Sequence, residues 1–150
     1  METFLVVGLG NPGSRYANTR HNAGTDFVHM LCEKYDVELT EKKKYKASIG
    51  KFLLKDMEVI LSIPTLFMNQ SGKSVAPTVK GENIKLKNLL VVHDDLDLPP
   101  GVSKLKFSGG DGGHNGLKDI MQSLSGKKDF KRLRIGICLL YTSPSPRDWD

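Results

Sequence analysis

The sequence predicts a single-domain α/β/α sandwich built on a mixed, mostly parallel, twisted sheet. Three observations carry that prediction. Apolar runs of strand length alternate with segments of helical period in the order β-α-β-β-α-β-β-α-β. The most apolar run, "NLLVVHD" at 88–94, lacks polar alternation, as expected of a parallel strand covered on both faces. The chain also has 150 residues and a 39% hydrophobic content, enough for one core and ordinary for a globular protein.

Each element has its own signal. "TFLVVG" at 3–8 is β-branched and apolar, a buried strand. "AGTDFVHMLCEKYDV" at 23–37 puts Phe27, Met30, Leu31 and Tyr35 on one helical face, with Thr25 or Asp26 suited to cap its start. "KASIGKFLL" at 46–54 and "MEVILSIP" at 57–64 read as two strands joined by a tight Lys-Asp turn. "TLFMNQSGKSVAPTVKG" at 65–81 predicts a short helix, weakened by Gly72 and Pro77. After the strand at 88–94, "VSKLKFS" at 102–108 alternates like a half-exposed strand. "GHNGLKDIMQSL" at 113–124 returns to helical period, and "RLRIGI" at 132–137 to strand. The domain is expected to span 1–137.

The stretch "CLLYTSPSPRDWD" at 138–150 breaks this pattern with a Ser-Pro-Ser-Pro run that builds no element. Its first part, "CLLYTSPSPRD" at 138–148, resembles translated sequencing-library adapter, so 138–150 is expected to be a non-native tail, set aside from fold reasoning.

Composition bounds the function. No apolar run reaches the roughly 18 residues of a membrane span, and "METFLVVGLG" lacks the basic start of a signal peptide. Two cysteines, Cys32 and Cys138, make neither a disulfide scaffold nor a metal motif, which points to a reducing, cytoplasmic setting. The net charge of +5 is concentrated in "EKKKYK" at 41–46, "KLK" at 85–87 and 104–106, and "KKDFKRLR" at 127–134. Such runs are either solvated loops or a surface for an anionic partner such as nucleic acid.

"VVGLGNPG" at 6–13 carries the G-x-G-x-x-G spacing of a dinucleotide-binding turn. That turn must open directly into a helix, whose first N–H groups hold the pyrophosphate. Here Pro12 and "SRYANTRHN" intervene, and Glu33 and Asp36 sit at a helix end where a strand-end acid is required. A nicotinamide cofactor is therefore not expected. The glycines are expected to let the backbone turn at a strand end, presenting Asn11 to a cleft.

Three polar groups fall at element ends, where α/β folds place their sites. These are His21 in "TRHNAG", Asp94 and Asp95 in "VVHDDLDLPPG", and His114 with Asn115 in "GGDGGHNG". A His and an Asp converging there suit a general base and its orienter. With no G-x-S-x-G nucleophile elbow, water is the expected attacker. Plainer readings stand beside these: His21 or His114 as helix-start residues, and the acids as turn caps before Pro99-Pro100. Zinc held by His21, His114 and Asp94 has no supporting motif. His93, one residue before Asp94 on a strand, is expected to face the opposite layer.

"VGLGNPGSRYANTRHNAG", "PTLFMNQSGKSV", "HDDLDLPPG", "GGHNGLKDI" and "FKRLRIGI", five strings in order, closely resemble the bacterial peptidyl-tRNA hydrolase family from about Phe4 to Ile137. The resemblance implies an esterase that frees peptide and tRNA from peptidyl-tRNA, monomeric and cytoplasmic, without metal or cofactor. It implies that His21 activates water, that Asp94 keeps His21 basic, and that Asn11 recognises the blocked peptide end. Asn69 and Asn115 match substrate-contacting asparagines whose amides polarise the scissile carbonyl. Tyr16, Phe67 and Met68 match cleft residues; Gly112 and His114 line the same groove. Lys106 and Arg134 match positions that meet acceptor-stem phosphates. A non-catalytic RNA-binding module is the alternative. Cys138 stands where the family has glycine, so the family's following strand and helices are expected to be missing, leaving an open edge beside "RLRIGI". Asp111, within the glycine run, reads as tolerated variation.

Overall fold

The structure is a computed structural model that describes residues 1–11 and 22–137. Its elements are β1 (Glu2–Gly8), α1 (Ala23–Tyr35), β2 (Thr40–Lys42), β3 (Ala47–Leu54), β4 (Met57–Pro64), α2 (Gly72–Gly81), β5 (Leu89–Asp95), β6 (Ser103–Phe107), α3 (Asn115–Ser123) and β7 (Lys131–Gly136). They build one seven-stranded sheet in the order β2-β3-β4-β1-β5-β7-β6. The central four, β4-β1-β5-β7, run parallel; β2-β3 and β6 are antiparallel margins. The expected α/β/α sandwich is what forms.

Strand alternation sorts the core into two layers. Leu5, Val7, Leu89 and Val91 face one way, into a cluster with Val75 of α2 and Leu117 and Ile120 of α3. Val6, Leu61 and Val92 face the other way, against Val28, Phe27 and Leu31 of α1. Burying each large aliphatic side chain contributes about 1.5–3 kcal/mol, so these two layers fix where the strand ends lie.

Several local expectations need correction. Helix α1 buries Gly24 and Val28 rather than Met30, which is 51% exposed, and Tyr35 stacks on Phe52 of β3. Its N-cap is Asn22; Thr25 donates to the Asn22 carbonyl and so is not the cap. Strand β2 is an addition: "TEK" is short, charged and exposed, with no apolar signal, and forms because β3 offers a free edge. The segment after Pro64 divides into a 3₁₀ turn at Met68–Gln70 and α2, which runs on through Pro77. The start of α2 is held by α3, where the Asp119 carboxylate accepts the Gly72 N–H at 2.6 Å. Strand β6 is exposed along its length instead of half-exposed. It covers the outer side of β7, so the open edge expected beside "RLRIGI" is occupied, and the true edge carries Lys104 and Lys106.

The first glycines also do something other than expected. Gly8 and Gly10 do not adopt positive φ. A Cβ on Gly8 would collide with the Gly24 carbonyl, and one on Gly24 with the Val92 carbonyl. Close approach of α1 to the ends of β1 and β5 is what excludes side chains there.

Candidate active site

The C-terminal ends of β1 and β5 open onto a cleft of about 710 Å³. Asn11 enters from the segment after β1, and its Oδ1 accepts the Met68 N–H at 2.9 Å. This ties the strand end to the 3₁₀ turn and leaves the amide NH₂ as the donor end of Asn11. Facing it, β5 delivers His93, Asp94 and Asp95, the loop before α3 delivers Gly112 and His114, and the first residue of α3 is Asn115.

Asp94 is 6% exposed, and its Oδ1 lies 3.4 Å from His114 Nε2. His114 is the N-cap of α3: its Nδ1 accepts the N–H groups of Gly116 at 3.1 Å and Leu117 at 3.3 Å. An acceptor nitrogen carries no hydrogen, so the neutral ring bears its proton on Nε2, toward Asp94. The helix-start reading and the cleft reading of His114 are therefore both satisfied by the same ring.

Asp95 does different work. Its Oδ1 accepts the Asp97 N–H at 2.8 Å, closing the turn, and its Oδ2 meets Arg134 Nε at 2.7 Å. Burial opposes its ionisation, but the Arg134 bond and the Asp97 N–H outweigh it and hold the carboxyl below its ordinary range. Arg134 lines the cleft already paired, whereas Lys106 has no acidic partner within ion-pair distance among the described residues.

The structure thus brings Asn11, Met68, Asp94, Lys106, Gly112, His114, Asn115 and Arg134 to one cleft. Phe67 and Asn69 flank Met68 on the exposed 3₁₀ segment and are outside the cleft lining. His21 and Tyr16 lie outside the described residues.

Two cleft residues escaped the sequence reading. His93 does alternate away from Asp94, sharing the layer of Leu89 and Val91, yet it lines the same cleft, because the cavity wraps over the strand end. The expectation that it faces the opposite layer from Asp94 is met, and the cleft reaches that layer too. Arg132 is 1% exposed, beneath the glycine loop. Its guanidinium donates to the carbonyls of Phe130 at 3.2 Å, Gly110 at 2.9 Å and Lys128 at 2.8 Å. Burial pulls its pKa down from the ordinary value, against the pull of Asp111 and Asp129. The Asp111 carboxylate accepts the Gly113 N–H at 2.8 Å within the loop leading to His114. The basic run at 127–134 contains Arg132 but reads as surface charge, whereas the structure buries its guanidinium.

A model of the peptidyl-tRNA hydrolase family matches residues 5–147. The chain belongs to that family. Among peptidyl-tRNA hydrolases, it is 54% identical to that of Tolumonas auensis over 133 residues, covering 89% of this chain and 68% of the relative. It is 51% identical to that of Pseudoalteromonas translucida over 133 residues, covering 89% and 69%. The crystal structure of peptidyl-tRNA hydrolase from Acinetobacter baumannii superposes with a TM-score of 0.87 at 45% identity, covering 97% of this chain and 71% of that one.

Proposed function

We propose that this chain hydrolyses the ester joining peptide to the terminal ribose of peptidyl-tRNA, with the chemistry in the cleft over β1 and β5. The observation that carries the proposal is that Asn11 and Asp94, from two strand ends, line one cleft. His21 takes a proton from water, and the resulting hydroxide attacks the ester carbonyl. The ribose oxygen leaves with a proton, giving a free peptide acid and reusable tRNA. Asp94 fixes the tautomer of His21 and steadies its imidazolium. The amide N–H group of Asn115, which lines the cleft, stabilises the developing oxyanion, and Asn69, outside the lining, contacts the tRNA.

Asn11 supplies selectivity. Its oxygen already accepts the Met68 N–H, which leaves the amide NH₂ as the end that meets substrate as a donor. A donor suits the carbonyl of an acylated nitrogen and repels a free ammonium. Lys106 meets acceptor-stem phosphate, and Phe67, Met68 and Tyr16 pack against the terminal adenosine or peptide. The same reading makes the chain a cytoplasmic monomer without metal, cofactor or membrane; no described helix is long and apolar enough to cross a membrane.

The test is release of peptide from an N-blocked aminoacyl-tRNA in chelator-containing buffer, with free aminoacyl-tRNA as comparison. The parent cleaves the blocked substrate preferentially; His21→Ala nearly abolishes cleavage with tRNA binding intact, and Asp94→Asn slows it. Binding without release in the parent would leave only an RNA-binding module.

A further inference from the structure

We propose that His93 is a positioning residue that holds Asp94 and His114 in their mutual contact. The inference rests on the reading of Asp94 as the carboxylate serving the reacting base.

His93 is 4% exposed, and its Nδ1 lies 2.8 Å from the main-chain oxygen of Asp94. A carbonyl only accepts, so Nδ1 carries the hydrogen and Nε2 the lone pair. That Nε2 is buried and has no hydrogen-bond partner among the described residues. The ring is thus neutral and in the tautomer opposite to that of His114. The two rings meet edge to face, with centroids 4.6 Å apart and planes at 63°. His93 grips Asp94 by the main chain, His114 faces its carboxylate, and each ring limits the rotation of the other.

The need for such support is visible in the distances. At 3.4 Å the His114–Asp94 contact is at the long end of hydrogen bonding, and a small rotation of either side chain breaks it. The helix cap fixes His114 from one side only. His93 supplies the other wall, and its N–H pins the strand residue that carries the carboxylate. A ring serving only as core filling would have no use for this pair of complementary tautomers.

The test uses the full chain labelled with ¹⁵N-histidine, and two variants. His93→Phe keeps a ring but removes the Nδ1–H; His93→Asn returns an N–H close to the Nδ1 position. In the parent at neutral pH, His114 shows the Nε2–H tautomer; an Nδ1–H signature there overturns the proposal without reference to activity. In His93→Phe the single tautomer of His114 is lost and kcat for N-blocked aminoacyl-tRNA falls about tenfold, the order of one hydrogen bond, with KM little changed. His93→Asn restores both readouts to within about threefold. Unchanged His114 spectra and kcat in His93→Phe overturn the proposal. So does equal loss of kcat in both variants with the His114 tautomer intact, which marks a merely structural ring. A parent that shows the expected spectra but no turnover refutes the proposed function and leaves the positioning role standing.

Discussion

Stability should depend on pH through His93 in a way that one substitution isolates. Burial, reinforced by the neighbouring His114, lowers the His93 pKa to about 4; the carbonyl of Asp94 and the charges of Asp94 and Asp95 only partly oppose this. In the unfolded chain an imidazole titrates near 6.5. Between those values the unfolded state binds a proton that the folded state refuses, so unfolding free energy rises with pH. The contribution is complete above about pH 6.5 and is lost as pH falls toward 4. A gap of about 2.5 pH units at ~1.4 kcal/mol each makes the full effect about 3 kcal/mol.

Urea unfolding followed by far-ultraviolet circular dichroism, from about pH 7.5 to about pH 4, measures it. Carboxylates such as Asp95 also lose stabilising ionisation at the acid end, and comparison with His93→Phe subtracts them. Over that range the parent should lose about 3 kcal/mol more than the variant. Parallel curves for the two proteins would show that His93 titrates normally in the folded state, and the neutral buried imidazole would be wrong.

Two further outcomes follow from single contacts. Asp119→Ala removes the carboxylate that caps α2 from α3, and should cost about 1–2 kcal/mol in urea unfolding, with Asp119→Asn recovering part; equal stability would deny the cap any weight. Lys106→Ala should lower the slope of log affinity for tRNA against log salt by about one, and Arg134→Ala by less, because Asp95 already neutralises that guanidinium; equal drops would contradict the pairing.

How much of this was legible in the sequence depends on which force decided each feature. β5 was readable because burial on both faces demands an unbroken apolar run, and Asp94 at its end followed from where parallel sheets place their sites. β2 was not readable: a three-residue charged strand forms by edge pairing, which leaves no mark in local composition. Asp119 reads as an ordinary polar helix position, and only the arrival of α2 beside α3 gives it a backbone N–H to cap. His93 shows the limit of period-two reasoning. Alternation gives the layer of a side chain, but at a strand end the cleft is reached from both layers.

That limit explains how three consecutive residues of β5 carry three separate tasks. The pleat sends His93 toward α3, where its ring meets His114, while Asp94 and Asp95 project at the open end of the sheet. Asp95 is held by Arg134 and by the turn at Asp97, which together fix its carboxylate at the cleft wall. Asp94, 6% exposed, faces the His114 ring, so neighbouring acids at one strand end meet a guanidinium and an imidazole. Neighbouring acids with different partners are how a short apolar strand ends in a cleft lined by ionisable groups.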